Sequence, residues 1–160
     1  SFLHQTTTAV LWHTPAPSYL HFVFAFILVG AIAAEAFVLR LPVDGKVARL
    51  LLRIDLFYGL SAVGVILAGV ARVFWGAKGA AYYAGHPLFW AKMAAFAIVG
   101  LISIGPTRTF FRWVRAARAD AAHTVGEAEA KSARRLVMIE LHVLPLVPLF
   151  AALMARGIGS

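Results

Sequence analysis

Two residues that can do chemistry, His21 and Glu35, interrupt an otherwise apolar stretch that runs from Tyr19 to Arg40. An imidazole can ligate a metal or exchange protons near neutral pH, and a carboxyl group inside a membrane can carry a proton. The two positions lie fourteen residues apart, which puts them within about 40° of each other on a helix surface. Because ionisable groups are costly in lipid, we expect this face to point into a helix bundle. The alternative is that His21 lies at headgroup level and Glu35 pairs with a basic residue at the other interface.

The stretch that carries these two residues is long enough to cross a bilayer. Its 22 residues rise roughly 33 Å as a helix, which matches the hydrocarbon thickness. Three further apolar stretches follow, at about 54–75, 88–105 and 136–155. We therefore predict an all-α integral membrane protein, a single domain over residues 1–160 that folds as a four-transmembrane-helix bundle. Residues 1–17 lack the basic n-region of a signal peptide, and we expect them to form an N-terminal interfacial segment.

The overall composition supports the membrane class and excludes several kinds of site. Hydrophobic residues make up 61% of the chain and charged residues 14%, against roughly 45–50% apolar residues in a soluble domain. The formal charge of +8 does not indicate nucleic-acid binding, because the basic residues cluster in two connections beside apolar spans. The chain has no cysteine, which excludes a disulfide, a thiolate-held iron–sulfur cluster and covalent haem attachment. Any cofactor must be held by His, Met, Lys or carboxylate groups, or by shape.

The basic residues also predict the orientation. Eleven of the fifteen Lys and Arg residues lie in two connections, 40–53 and 108–135. The positive-inside rule places both connections in the cytoplasm, so both termini are expected in the periplasm of a bacterial inner membrane. The second connection is rich in Ala, Arg and Glu and should form either an exposed helical hairpin or helix ends that extend into water. We expect Pro106 to close the third span, and Pro145 and Pro148 to kink the fourth.

Orientation sorts the polar and ligand-bearing residues into two depth layers. The outer layer draws on every span and comprises His21, Arg72, His86, Lys92, Met154 and Arg156. The inner layer is mixed in sign and comprises Glu35, Arg40, Arg53, Asp55, Glu140 and His142. His21 and His142 should be separated by roughly 15–20 Å, so one haem iron cannot join them. Either they serve separate sites, or the helix boundaries differ from those predicted by more than a turn. Glu140 and His142 differ by about 200° around their helix and should not share a metal ion.

Three strings resemble a family of small bacterial membrane proteins known only as a domain of unknown function: ELHVLPLVPLFAALMARGIG, YYAGHPLFWAKMAAF and ISIGPTRTFFRW. This resemblance covers nearly the whole chain and implies a membrane protein without implying an activity. The layout is also similar to that of the bacterial haem-containing membrane protoporphyrinogen oxidases. The shared features are a His at the start of span one, Arg40 in LRLP, and a Trp-x-Lys in span three formed by Trp90 and Lys92. In those proteins a first-helix His and a third-helix Lys are functional, which implies such roles for His21 and Lys92.

The outer layer has the residue types needed to hold a b-type haem or a similar redox cofactor. A neutral imidazole of His21 can ligate iron, while Arg72 and Lys92 can neutralise propionates or a quinone-type anion. A sixth ligand would come from His86 or Met154. The alternative is that Arg72 and Lys92 snorkel to the headgroups and that His86 is only a loop residue.

The inner layer has the residue types needed for proton transfer. Glu35, Glu140 and His142 are candidates to accept protons from the cytoplasm, either in a quinone reductase or in a proton-coupled carrier. His142 is also the candidate ligand of a second metal or cofactor site. The alternative is that the inner carboxylates form ordinary ion pairs at the interface. These pairs would be Glu35–Arg40 and Asp55–Arg53.

Three hypotheses about function follow from these two layers. The first is a membrane oxidoreductase that binds haem b and exchanges electrons with a quinone or a porphyrin. The second is a proton-coupled transporter or carrier that uses Glu35, Glu140 and His142. The third is an accessory subunit whose polar residues orient it in a larger membrane complex. A homo-oligomer in the lipid bilayer is compatible with each of them.

Overall fold

The computed structural model describes residues 16–76 and 78–158, and every regular element in these residues is a helix. The described residues contain six α-helices: α1 Ala16–Val38, α2 Gly45–Trp75, α3 Gly79–Ala84, α4 Pro87–Ala119, α5 Glu127–Val143 and α6 Leu146–Ala155. The interfacial segment predicted for residues 1–17 lies almost wholly outside the described residues.

Four segments are long and apolar enough to cross a membrane: Tyr19–Val38, Gly45–Trp75, Pro87–Ala119 and Glu127–Ala155. The last of these combines α5 and α6. The prediction of an all-α membrane protein with four transmembrane helices is therefore confirmed. Since the chain reverses direction at each connection, α1 begins and α6 ends at the same end of the bundle.

The second span begins at Gly45, well before the predicted start near residue 54. Asp44 lies in extended backbone, and its Oδ1 accepts a 2.9 Å hydrogen bond from Val47 N, which caps α2. The sequence prediction followed hydropathy alone, and the first turns of α2 carry Lys46 and Arg49. A capped helix can extend past the apolar region into water, because its backbone hydrogen bonds are satisfied internally.

The third span continues through Pro106 to Ala119, so the predicted end at Pro106 is wrong. A proline inside a helix removes one backbone hydrogen bond, and tertiary packing of the following turns can offset this loss. Phe110 and Trp113 are 0% and 2% exposed, and burial of each from water contributes about 1.5–3 kcal/mol. With α5 beginning at Glu127, residues 108–135 form extended helix ends rather than a separate hairpin.

The fourth span is divided into α5 and α6 at Leu144 and Pro145. Leu144 N still bonds Glu140 O at 2.8 Å, and Val147 N bonds Leu144 O at 3.1 Å in a tighter turn. Pro148 lies in the first turn of α6 and does not interrupt it, because an N–H there would have no partner within the helix. Of the two predicted kinks, the one at Pro145 is present and the one at Pro148 is not.

The surface of the bundle is apolar along the spans, whereas its interior contains ionisable groups. Phe26, Leu60 and Leu101 are 76%, 70% and 70% exposed, which suits side chains covered by lipid. The apolar core is formed by residues from all four spans, among them Ile32, Leu51, Val99, Phe110, Trp113 and Val137. The buried polar residues are Glu35, Asp55, Ser61, His86 and Glu140.

α1 and α2 share the most extensive helix contact, and a glycine permits it. A Cβ at Gly64 would lie 2.7 Å from the Phe24 ring, so the two helices approach this closely only because no side chain is present. Further along α2, a Cβ at Gly69 would lie 3.9 Å from the imidazole of His21. The imidazole of His21 therefore packs against α2 at Gly69.

The loops 39–44 and 120–126, together with the basic helix ends that flank them, lie at one end of the bundle, which we call the basic end. Leu39 is 2% exposed, because the first connection folds back against the helices. A cavity of about 530 Å³ opens here, and its lining includes Leu39, Arg40 and Arg134. We call the other end of the bundle, where α1 begins, the opposite end.

The extended ends of α4 and α5 are tied together at the basic end. Glu129 on α5 accepts a 2.9 Å hydrogen bond from Trp113 Nε1 and forms an ion pair with Arg112, both on α4. Val125 N donates a 2.9 Å hydrogen bond to Val43 O, which fastens the second connection to the first. These contacts give the basic end a defined structure outside the apolar spans.

Candidate functional site

Three side chains from three spans lie within electrostatic range of one another near the opposite end: His21 on α1, Arg72 on α2 and Lys92 on α4. Both cations interact electrostatically with the imidazole of His21 and with each other, which places the three groups in one cluster. The sequence analysis predicted that these residues lie at one depth in the membrane. In the fold they are also neighbours across the bundle. We call them the histidine cluster.

His21 has an unused ring nitrogen inside the packed bundle. Its Nδ1 is buried and has no hydrogen-bond partner among the described residues, and the backbone of Val65 on α2 is among the groups that interact with the ring. Nδ1 is therefore the ring nitrogen that is open to a ligand. A neutral imidazole with a free lone pair is the state in which histidine ligates a metal.

Arg72 and Lys92 bring positive charge to the histidine cluster. Both side chains are half-buried, and within residues 16–76 and 78–158 neither forms an ion pair with a carboxylate. Lys92 Nζ lies 5.1 Å from the centroid of the Phe89 ring, in a cation–π contact. Two cations without a neutralising partner, in largely apolar surroundings, favour binding of an anionic group.

His86 and Met154 carry the other candidate ligand atoms. His86 begins α4, where its Nδ1 accepts a 3.3 Å hydrogen bond from Leu88 N, so it has the structural role of a helix cap. Its Nε2 is buried and lacks a hydrogen-bond partner in the part of the chain that the structure describes. Met154 is 7% exposed on α6, which packs against α4.

A second polar group, closer to the basic end, is built from all four spans. We call it the carboxyl cluster, and it comprises Glu35 on α1, Asp55 and Tyr58 on α2, Thr107 on α4 and Glu140 on α5. Glu35 and Glu140 are each 1% exposed, and Asp55 is 4% exposed. Thr107 Oγ1 donates a 2.7 Å hydrogen bond to Asp55 Oδ2. The Asp55 side chain also hydrogen-bonds Glu35 and interacts electrostatically with Glu140.

The carboxyl cluster is not neutralised by arginines of its own helices. Arg40 and Arg53 are exposed, and Arg40 Cζ lies 5.5 Å from the centroid of the Phe37 ring. In the described residues neither arginine forms an ion pair with Glu35 or Asp55, so the ion-pair alternative is wrong. The helices turn the carboxyl groups inward and the arginines outward, which the order of residues along one helix does not reveal.

His142 lies apart from both clusters. Its side chain is exposed on the surface of α5, and its Nδ1 lies 2.6 Å from Met138 O of the preceding turn. Glu140 is buried on the inner face, in accord with the large angular separation expected from the sequence. Across residues 16–76 and 78–158, no group of three or more His, Cys, Asp or Glu residues is placed to hold a metal ion.

Sequence reasoning missed two members of the carboxyl cluster, Thr107 and Tyr58. Tyr58 is 5% exposed and interacts electrostatically with the three carboxyl groups. It follows Asp55 by three residues, so helical spacing alone indicates that the two share a face. Thr107 was placed in the connection after Pro106, and the unexpected continuation of α4 moves it into the bundle.

Comparison with known proteins agrees with the membrane architecture. No curated protein and no solved structure matches the chain. The family model described as "Predicted membrane protein (DUF2214)" matches residues 16–159, which include all four spans and both clusters. The chain therefore belongs to the DUF2214 family of predicted membrane proteins.

Proposed function

We propose that this protein is a membrane redox protein that holds a b-type haem at the histidine cluster and exchanges electrons with a quinone or a porphyrin. The observation that carries the proposal is the buried, unpartnered Nδ1 of His21 beside the cations of Arg72 and Lys92. Buried polar atoms without a partner are rare in folded proteins and call for an explanation such as an unseen ligand.

The residues of the histidine cluster fit a haem in their donor set. His21 would supply an axial nitrogen, and Arg72 and Lys92 would bind the propionate carboxylates. The haem would supply one-electron chemistry when bound. His86 and Met154, each with an unused ligand atom near the opposite end, are the candidates for a second axial position.

The layout also supports this function. A histidine at the start of the first span and a lysine in the third are the features that resemble the haem-containing membrane protoporphyrinogen oxidases. In this fold the corresponding side chains, His21 and Lys92, belong to one cluster although they lie on helices far apart in the sequence. A carboxylate-bearing porphyrin, or the anion of a reduced quinone, is a partner that two cations near the interface can attract.

We place the protein in a bacterial inner membrane with both termini in the periplasm. The support is charge: residues 40–53 and 108–135, which include the two connections and the adjoining helix ends of the basic end, hold eleven of the fifteen Lys and Arg residues. In this orientation the histidine cluster lies toward the periplasm and the carboxyl cluster lies toward the cytoplasm.

The absorption spectrum of the detergent-purified protein from haem-replete cells tests the proposal. A Soret band, with α and β bands after reduction, is the expected result, together with non-covalent haem in an acid–acetone extract. A colourless, well-folded protein that also fails to take up added haem would overturn the proposal. Proton movement by such a protein in liposomes would favour the proton-coupled carrier, for which the buried carboxyl cluster is the specific observation.

A further inference from the structure

The haem proposal assigns no role to the carboxyl cluster, and the hydrogen bonding of this cluster is incomplete. Thr107 Oγ1 supplies one donor, to Asp55 Oδ2. Glu35 Oε1 and Glu140 Oε1 are buried and have no hydrogen-bond partner in the described residues. Each of these two side chains is 1% exposed, so bulk water does not satisfy them. The cluster therefore has more acceptor atoms than the surrounding protein has donors.

The contact between Glu35 and Asp55 requires a proton. Their side chains approach each other inside the bundle, and an ionised carboxylate is an acceptor only. A hydrogen bond between the two groups therefore forms only when one of them is protonated. Two carboxyl groups that share a site in this way hold one proton between them, as like charges at short distance cannot both be accommodated.

The charges around the cluster lead to the same conclusion. The groups that face one another are Glu35 from α1, Asp55 and Tyr58 from α2, and Glu140 from α5, with the neutral Thr107 from α4. None of these helices provides a Lys or Arg that pairs with them in the described residues. Burial of three uncompensated negative charges costs far more than burial of neutral acids. A metal ion is disfavoured as the counter-charge, since the described His and carboxyl groups do not form a ligand set.

The cavity at the basic end comes within one helical turn of Glu35. Leu39 N bonds Glu35 O at 2.9 Å, so Leu39 lies one helical turn beyond Glu35. Leu39 also lines the cavity of about 530 Å³ at the basic end, which is large enough to hold water. Leu39 is 2% exposed, and of the residues that line the cavity it is the nearest to Glu35 along the chain.

We propose that the carboxyl cluster is an exchangeable proton-binding site, in which Glu35 and Asp55 share a proton, Glu140 is a second acceptor, and Leu39 controls access from the basic end. This inference does not depend on a haem. It concerns a different layer of the bundle, and it applies equally to the cofactor-free protein.

Infrared spectroscopy of the protein in lipid nanodiscs tests the proton-binding site. We expect a protonated carboxylic acid C=O band at neutral pH that shifts in D₂O and loses intensity in Glu35→Gln and in Asp55→Asn. Glu129→Gln is the matched control, because Glu129 is an ion-paired carboxylate at the surface, and it should leave the band unchanged. Absence of the band in the folded wild-type protein, or its retention in both cluster variants, would overturn the proposal. If a variant does not fold, the D₂O shift of the wild-type band decides the question.

The rate of exchange tests the access route separately. Leu39→Ala should speed the D₂O shift of the carboxylic acid band, because it shortens the buried side chain that lines the cavity one helical turn from Glu35. Leu28→Ala is the control, since it removes a similarly buried leucine from α1 away from the basic end. Equal exchange rates in Leu39→Ala and Leu28→Ala would contradict the route through Leu39.

Discussion

Thr107 Oγ1 on α4 lies 2.7 Å from Asp55 Oδ2 on α2 and donates a hydrogen bond across the interior of the bundle. The bond joins two spans inside the membrane region, one residue after a proline that α4 passes through without ending. Because Asp55 also hydrogen-bonds Glu35, this single hydroxyl links three helices. Thr107 should therefore contribute to stability as well as to the position of the carboxyl groups.

Removal of this hydroxyl should weaken the bundle. Thr107→Val keeps the side-chain shape and loses the donor, and we expect a decrease of about 0.6–1.7 kcal/mol in the free energy of unfolding, as for other hydrogen bonds between membrane helices. Thr109→Val is the control, because Thr109 Oγ1 bonds Gly105 O within its own helix. Unfolding in a mixed-micelle titration would measure both variants. Equal losses of stability would show that the link from Thr107 to Asp55 has no special effect.

The close approach of α1 and α2 predicts a size limit at Gly64. A Cβ there would lie 2.7 Å from the Phe24 ring, so Gly64→Ala should destabilise the protein by about 1–3 kcal/mol through overpacking. Gly59→Ala serves as the control, since a Cβ at Gly59 meets nothing within 4 Å. The double variant Gly64→Ala with Phe24→Leu should recover part of the loss in the same unfolding measurement. A tolerated Gly64→Ala would mean that the helices are not in this register.

The link at the basic end predicts local rather than global loss of order. Glu129→Ala removes the acceptor of Trp113 and the partner of Arg112, and we expect a cost of about 1 kcal/mol because the ion pair is exposed. Amide hydrogen exchange should become faster in residues 120–135 and remain unchanged in the spans. Glu127→Ala removes the same charge from the same turn and should leave the exchange pattern as in the wild type. Identical patterns in the two variants would argue against the link.

The predicted orientation can be measured cleanly because the chain has no native cysteine. A cysteine at Ser160 should react with an impermeant maleimide in intact spheroplasts, whereas a cysteine at Ala119 should react only after permeabilisation. Protection at Ser160 together with labelling at Ala119 would reverse the topology. The two clusters would then exchange sides, although the fold would be unaffected.

The sequence predicted the four spans because each combines length with apolar composition, and both properties can be counted. It did not predict the true ends of α2 and α4. The start of α2 is basic and depends on the cap at Asp44, and the end of α4 depends on packing of Phe110 and Trp113 beyond Pro106. Hydropathy indicates which residues lie in lipid, whereas the end of a helix depends on where its backbone hydrogen bonds stop. The two positions can therefore differ by several turns.

Depth along each span was predictable, but rotation of the spans about their axes was not. Counting from the connections placed Glu35, Asp55 and Glu140 at similar depth, and His21 with Lys92 at another. Whether Glu35 turns toward Arg40 or toward Asp55 depends on how α1 packs on α2. This packing is determined by contacts such as that of Phe24 with Gly64, which join residues remote in sequence.

The haem content of two histidine variants tests the central claim most directly. His21→Ala removes the buried unpartnered nitrogen of the histidine cluster, whereas His142→Ala removes an exposed imidazole on the surface of α5. With both variants purified in folded form and their haem quantified per chain, we predict that His21→Ala loses the haem and its Soret band and that His142→Ala retains both. Loss of haem in His142→Ala with retention in His21→Ala would contradict the assignment of the cofactor to the histidine cluster.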